Sequence, residues 1–365
     1  MVSFTKKIVE APLALNFDDL ILLPGFSETR TKNINIETRF STNIKIKTPL
    51  SSAPMDTVTE AQMAVAMAQC GGIGVLHRNC SIEEELQMVK QVKVVEASGP
   101  DATLGRDKRL AVAAAISPFD LERARVLGEH ADALVIDVAH FHTNAILEAT
   151  REIIKATDAD IVIGSLGTKA GVKHSVENLD RVDGLRCGIG GGSICITTDV
   201  TKAGSPVPFA VSQAADALEE IGRRDIPIIG DGGIRTAGDI AIAFALGATS
   251  AMLGYGFAGT DECPGDVVTV EGKKYKSYRG MGSQGARERR AIADRYADTG
   301  GRKLIEGIEG LTPYKGRVSD VIELLNSGIR ASIGYGGAGS IEEMHRKAVL
   351  GRIGLRTQKA EIRSK

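Results

Sequence analysis

The sequence predicts a single (β/α)₈ barrel, the TIM barrel, over residues 1–365. Eight short apolar runs recur between residues 49 and 256, and each is followed by a turn and then by a segment of helical periodicity. Apolar strands that alternate with helices indicate parallel strands buried on both faces. A doubly wound open sheet is the weaker alternative, because it would rarely need eight similar units. The runs are 49–53, 72–77, 110–117, 133–139, 160–166, 184–189, 226–231 and 250–256.

The composition indicates which kinds of ligand or partner the protein is expected to bind. The chain carries 45 basic and 46 acidic residues, a net charge of −1, so no overall field attracts nucleic acid or an anionic membrane. The sequence contains no run of 18 consecutive apolar residues, so it predicts no membrane-spanning helix. The five cysteines form no C-x-x-C pair, which argues against a disulfide framework or a zinc site and favours the cytoplasm. We therefore expect a cytoplasmic protein that binds a small molecule.

Two connecting segments depart from the regular repeat. The link 95–109 joins the second and third units and is too short to hold a domain. Residues 257–315 follow the last strand as a long, glycine-rich excursion, which we expect to be an irregular lid or catalytic flap. Between the strands, Ser81 and Glu84 have the spacing of a helix capping box.

The barrel prediction places the functional site at the carboxyl ends of the strands. Polar residues do fall there, and a shared pocket explains them better than isolated caps or turns. They are Ser52, Asp56, His77, Asp137, His140, Ser165, Cys195, Asp231 and Tyr255.

A glycine-rich loop after the sixth run is the most informative stretch. Residues 188–192 hold four glycines just ahead of Ser193 and Cys195. Oriented amides in such a loop favour a thiolate, which predicts that Cys195 is a nucleophile with Thr197 able to exchange a proton beside it. The alternative for a cysteine taken alone is a small buried thiol.

The seventh and eighth runs end in further glycine turns, at Asp231-Gly232-Gly233 and Leu253-Gly254-Tyr255-Gly256. This pair of loops frequently forms a phosphate site in (β/α)₈ barrels. Ser193 could add a hydroxyl, and the Asp231 carboxylate is suited to accept two ribose hydroxyls. A purine nucleoside monophosphate would satisfy both halves of the site, with Cys195 attacking a ring carbon.

These residues resemble the IMP dehydrogenase and GMP reductase superfamily over nearly the whole chain. The matching motifs are Asn16-Phe17-Asp18-Asp19-Leu20, residues 52–59, the 188–197 loop, Asp231-Gly232-Gly233-Ile234, Tyr278-Arg279-Gly280-Met281-Gly282-Ser283 and Gly334-Tyr335.

The resemblance implies roles for individual residues. Cys195 would form a thioimidate with purine C2, with Thr197 as its partner, and NAD would be the cofactor. The carbonyls of Gly190, Gly192 and Cys195 would hold a monovalent cation, K⁺. The substrate-binding residues would be Ser52, Met55, Ser193, Asp231, Gly233, Gly254, Tyr255, Tyr278, Gly280, Met281, Gly282 and Glu306, of which Met281, Gly282 and Glu306 match the base-binding segment. The cofactor-binding residues would be Asp137, His140, Gly188 and Gly190.

Within the superfamily, the sequence favours the dehydrogenase. It has the Arg295-Tyr296 pair that resembles the hydrolytic flap, and it has Gln284 where the reductase pattern has glutamate. The resemblance thus implies NAD⁺-dependent oxidation of IMP to XMP by a homotetramer without the usual CBS regulatory domains. Phe141, Thr198 and Tyr255 depart from the dehydrogenase pattern. GMP reductase, or a diverged nucleotide-binding paralogue without turnover, is the alternative.

Overall fold

Eight parallel strands close into a barrel in the computed structural model, which describes residues 4–289 and 305–353. Each of the eight predicted runs contains one barrel strand, β4 to β11, so the predicted fold is confirmed. The strands are β1 Leu20–Leu23, β2 Thr38–Arg39, β3 Lys45–Ile46, β4 Leu50–Ser52, β5 Ile73–Leu76, β6 Val112–Ile116, β7 Ala133–Ile136, β8 Asp160–Leu166, β9 Gly184–Cys187, β10 Ile228–Asp231, β11 Ser250–Leu253, β12 Val268–Val270, β13 Lys273–Arg279, β14 Glu309–Pro313 and β15 Val349–Arg352.

The barrel closes where β11 pairs with β4, with Leu253 opposite Ser52. Its interior is filled mainly by small and branched side chains from every second position, among them Ala113, Ala133 and Val162. The larger apolar cluster lies outside, between the strands and the surrounding helices. This layering is why the strand residues are almost all buried and why the sequence runs are continuously apolar.

Helices follow the barrel strands in turn, and threonine or serine N-caps fix several of their starts; Thr143, Thr168 and Thr236 each accept a hydrogen bond from a first-turn amide. The predicted capping box at Ser81 is present. The helices are α1 Phe4–Val9, α2 Ala61–Gln69, α3 Ile82–Lys93, α4 Leu121–Gly128, α5 Asn144–Ala156, α6 Lys169–Glu177, α7 Thr197–Thr201, α8 Val207–Glu220, α9 Ala237–Ala245, α10 Gln284–Arg289, α11 Val318–Tyr335 and α12 Ile341–Lys347.

The eighth unit is interrupted. Helix α11 packs between α9 and α2, the place of the helix that would follow β11 directly. Residues 257–317 are therefore an insertion between the last barrel strand and its helix. None of the described helices is long and apolar enough to cross a membrane.

The insertion is more regular than the sequence indicated. Strands β12, β13 and β14 form an antiparallel sheet, so the prediction of an irregular excursion is wrong for this part. The buried Lys276 of β13 joins this sheet to the first part of the insertion, because its ammonium donates to the carbonyls of Thr260, Asp261 and Cys263 at 3.2, 3.3 and 2.6 Å.

The link 95–109 lies at the opposite end of the barrel from the carboxyl ends of the strands, because it connects the end of α3 to the start of β6. Residues 96–101 are exposed. Later residues of the link are tied to the neighbouring helices: Asp107 Oδ1 lies 3.0 Å from the Lys93 ammonium of α3, and Arg106 donates to the Gly128 carbonyl of α4 at 2.6 Å.

Candidate active site

One cavity of about 430 Å³ opens at the carboxyl ends of the barrel strands. This volume is within the range of small-molecule sites. Sixteen of the residues predicted from the sequence line it together: Met55, Gly188, Gly190, Gly192, Ser193, Cys195, Thr197, Asp231, Gly233, Gly254, Tyr255, Tyr278, Gly280, Met281, Gly282 and Glu306.

A chain of three hydrogen-bonding groups begins at the predicted nucleophile. The Cys195 thiol lies 3.2 Å from Thr197 Oγ1, and the Thr197 hydroxyl donates to Glu306 Oε2 at 2.7 Å. Thr197 and Glu306 are 8% and 4% exposed, whereas Cys195 is only half-buried on the cavity wall. A proton can therefore pass from the thiol through a hydroxyl to a carboxylate without leaving the protein.

Backbone pairing holds Glu306 in this position. The Ile196 amide donates to the Glu306 carbonyl at 3.0 Å, and the Ile308 amide donates to the Ile194 carbonyl at 3.0 Å. The segment that follows the flap thus runs antiparallel to the cysteine loop, with Cys195 opposite Gly307. The sequence placed Glu306 with the base-binding residues; the structure gives its carboxylate a direct contact with Thr197.

Two glycines let the loops approach each other closely. Gly188 has φ +130°, and a Cβ there would lie 2.2 Å from the Asp231 carbonyl oxygen. Gly233 has φ +69°, and a Cβ there would lie 2.8 Å from the Gly191 carbonyl oxygen. Only glycine fits both the backbone conformation and the space at these positions.

Two tyrosines form one end of the cavity. Burial raises the pKa of Tyr278 to about 12, against the opposing effect of a hydrogen bond from Ser193, so its hydroxyl remains a neutral donor. The ring of Tyr255 lies 5.9 Å from that of Tyr278 between centroids. Lys315 supports Tyr255 from behind, with its ammonium 4.5 Å from the ring centroid and bonded to the Tyr255 and Gly256 carbonyls.

The flap begins from a charged anchor. Arg279 Nε donates to Asp56 Oδ1 at 3.0 Å, and Asn79 Nδ2 donates to Asp56 Oδ2 at 2.7 Å. Burial alone would raise the pKa of Asp56, but these hydrogen bonds outweigh it and lower the pKa below its ordinary value of 3.8. The anchor fixes the start of Gly280–Gly282, which line the cavity.

Five residues that the sequence analysis assigned to the shared pocket are not among the described residues that line the cavity: Ser52, Asp56, His77, Asp137 and His140. Ser52 is fully buried at the end of β4, and its hydroxyl has no hydrogen-bond partner among the described residues. Asp137 is 1% exposed and lies behind Arg186, whereas His140 lies on an exposed loop. Their assignment as ligand contacts stays a prediction. Arg295 and Tyr296 lie outside the described residues.

Arg186 is the main residue that the sequence analysis missed. It lines the cavity from β9, and its guanidinium donates to Asp231 Oδ2 at 2.7 Å and to Asp137 Oδ1 at 3.1 Å. An arginine inside a short, fully buried strand was the available signal, since such a charge needs partners. A second ion pair, Arg235 with Asp18 at 2.8 Å, joins two further cavity residues.

Comparison with known proteins identifies the family of the chain. The family model described as the IMP dehydrogenase / GMP reductase domain matches residues 14–362. An inosine-5'-monophosphate dehydrogenase from Korarchaeum cryptofilum is 36% identical, with 92% of this chain and 93% of that protein covered. One from Cryptosporidium parvum is 38% identical, with 92% and 90% covered.

The fold is also similar to a solved structure. A GMP reductase from Trypanosoma brucei, in complex with guanosine 5'-monophosphate, matches with a TM-score of 0.87 and 29% identity, covering 95% of this chain and 97% of that one. With the family model spanning nearly the whole sequence and several relatives above 30% identity, the chain belongs to the IMP dehydrogenase / GMP reductase family of enzymes.

Proposed function

We propose that the protein is an IMP dehydrogenase, which oxidises IMP to XMP with NAD⁺ through a covalent intermediate on Cys195. The observation that carries the proposal is the contact series from Cys195 through Thr197 to Glu306 on the wall of a nucleotide-sized cavity. Curated relatives named inosine-5'-monophosphate dehydrogenase, at 32–38% identity, support it.

The cysteine performs the first step. Its thiol gives up a proton toward Thr197, and the sulfur adds to purine C2, forming a C–S bond. Loss of hydride from C2 then leaves a thioimidate. Water adds to C2, the C–S bond breaks, and the electron pair returns to sulfur, so that XMP and the free cysteine are released. Thr197 and Glu306 are placed to accept a proton during these steps.

The phosphate and ribose are held at the other end of the cavity. The Ser193 and Tyr278 hydroxyls lie at the glycine turns, where backbone amides and hydroxyls suit a phosphate. Asp231 faces the cavity with 20% of its side chain exposed, and one of its carboxylate oxygens is held by Arg186. The carboxylate is therefore positioned to accept ribose hydroxyls.

NAD⁺ supplies the hydride acceptor when it is bound. The donor chemistry of the cavity fits this group, because Ser165 lines its wall beside Ala139 and its hydroxyl offers a polar partner for a ribose or a carboxamide. Asp137 lies directly behind that wall. These residues would orient the nicotinamide nucleotide against the purine.

A monovalent cation remains part of the proposal. Backbone carbonyls are suitable ligands for such an ion, and the loop offers those of Gly190, Gly192 and Cys195. The Gly192 carbonyl already accepts the Cys195 amide at 3.0 Å, which leaves one of its two lone pairs for an ion. Dependence of turnover on K⁺, with Na⁺ as the comparison, tests this role.

GMP reductase is the second candidate, supported by the structural likeness to the Trypanosoma brucei enzyme. Against it, Gln284 occupies the position where the reductase pattern has glutamate. Gln284 is exposed, donates to Glu288 at 2.8 Å and is not among the residues that line the cavity.

Parallel assays separate the candidates. With IMP and NAD⁺, we expect NADH and XMP in equal amounts, and neither from Cys195→Ala. NADPH consumption and ammonia with GMP would instead identify a reductase. Binding of IMP or GMP without either reaction above the Cys195→Ala background would identify a paralogue without turnover and overturn the proposal.

We also propose a homotetramer, on the strength of the family membership. An exposed apolar surface near the amino terminus is consistent with subunit contacts, since Phe4, Ile8, Val9 and Leu13 are 61–80% exposed. Sedimentation that found only monomer would reject this assembly.

A further inference from the structure

Arg186 joins two carboxylates that belong to different parts of the barrel. The side chain starts from β9 and is 2% exposed. One guanidinium nitrogen donates to Asp231 Oδ2, at the end of β10, at 2.7 Å. The other donates to Asp137 Oδ1, directly after β7, at 3.1 Å and to the Val138 carbonyl at 3.4 Å. One side chain therefore spans four neighbouring strands, from β7 to β10.

The bridge consists of buried charged groups that compensate one another. Asp137 is 1% exposed, so its carboxylate has no access to bulk solvent and depends on buried partners. Arg78 is one such partner, with its Nε 3.9 Å from Asp137 Oδ2. Removing one member of a buried charged group leaves the others uncompensated, so the members keep their positions together. Asp231, Arg186 and residues 137 and 138 thus form one hydrogen-bonded unit.

The two ends of the bridge lie on different sides of the proposed site. Asp231 faces the ribose of the nucleotide, whereas Ala139, next to the residues held by Arg186, lines the wall assigned to the nicotinamide nucleotide. Arg186 therefore connects the wall that faces the ribose with the wall assigned to the nicotinamide nucleotide.

We propose that Arg186 is a positioning residue that couples binding of the nucleotide to binding of the dinucleotide. The inference rests on the proposed function. Each ligand pre-orders the wall used by the other, so each strengthens the binding of the other by the same factor, as thermodynamic linkage requires. We expect a coupling factor of about fivefold or more, the lower end of the usual range.

The test uses the full-length protein with Cys195→Ala, which stops the covalent step and allows equilibrium titration of both ligands. Calorimetry gives the Kd of IMP with and without saturating NAD⁺, and the Kd of NAD⁺ with and without saturating IMP. The same titrations are made with Arg186→Met and Arg186→Lys added. Arg181→Met is the matched control, because Arg181 contacts Asp183 at 3.5 Å beside the start of the same strand.

The coupling factor should fall to about one in Arg186→Met while each ligand still binds alone. It should be intermediate in Arg186→Lys, because an ammonium is a point charge that cannot bridge two carboxylates as a guanidinium does. Arg181→Met should keep the parent value. If Arg186 had only a structural role, Arg186→Met would weaken the binding of both ligands without changing the coupling factor.

An unchanged coupling factor in Arg186→Met, or no coupling in the parent, would overturn the inference. If Arg186→Met does not fold, Arg186→Lys decides, and a coupling factor equal to the parent value would overturn it. If the Cys195→Ala parent does not bind IMP at all, that different result would reject the proposed function and the inference with it.

Discussion

Thr197 gives the sharpest test of the active-site geometry, because its hydroxyl is the middle member of the series between thiol and carboxylate. Thr197→Val keeps the shape of the side chain and removes the hydroxyl. The lost bond is to a charged, buried carboxylate at 2.7 Å, and such bonds contribute about 1.5–3 kcal/mol. At 1.36 kcal/mol for each factor of ten, turnover should fall about 10- to 160-fold.

The assay is the formation of NADH from IMP and NAD⁺, followed over the first turnover and in the steady state. Thr197→Ser is the control, because it keeps the hydroxyl. We expect its turnover to stay within about threefold of the parent value, since the hydrogen bond is retained and only its surroundings change. Turnover of Thr197→Val equal to that of the parent would show that neither the thiol nor the intermediate uses this hydroxyl.

Three further predictions follow from other parts of the chain. Arg295→Ala should keep a burst of NADH equal to the active sites and then turn over about 10²–10⁴-fold more slowly, whereas Cys195→Ala shows no burst; equal loss of both phases contradicts hydrolysis by the flap. Asp56→Asn should lower the melting temperature at pH 7. Because the pKa of Asp56 is lower in the folded protein than the ordinary value of 3.8, the extra stability of the parent over the variant is full above pH 3.8 and is lost as the pH falls through the lower folded pKa. Melting curves recorded across this pH range will test the expected loss. Gly233→Ala should raise the KM for IMP about tenfold, since backbone strain of about 1–2 kcal/mol falls on the phosphate loop, whereas Gly222→Ala, with the same φ of +69° and open space around it, should leave KM unchanged.

The barrel could be predicted because its signal is local. Each strand is a short apolar run, and all eight are found within a few residues of their predicted limits. The last one was extended too far, since β11 ends at Leu253 and the following glycines turn the chain. The sheet of the insertion was missed because a buried position of β13 is occupied by Lys276, a residue that looks solvent-exposed in a sequence.

For the candidate site, the sequence allowed us to predict which residues line the cavity better than which residues contact each other. Glycine turns and strand ends identified most of the cavity wall, because a closed barrel brings all strand ends to one face. The contact between Thr197 and Glu306 joins residues 109 positions apart and depends on the pairing of two loops. Arg186 was missed because partners for a buried charge become visible only when neighbouring strands are assembled.

The position of the link 95–109 limits how the enzyme can be regulated through it. Its exposed part, residues 96–101, is a place where an inserted segment would disturb few contacts. Anything attached there lies at the end of the barrel remote from Cys195, and β6, with five residues, separates the two ends by about 17 Å. A signal from such a segment would have to cross the packed barrel or travel around its outside through a neighbouring molecule. The link and the candidate site are therefore separated by the length of the barrel strands.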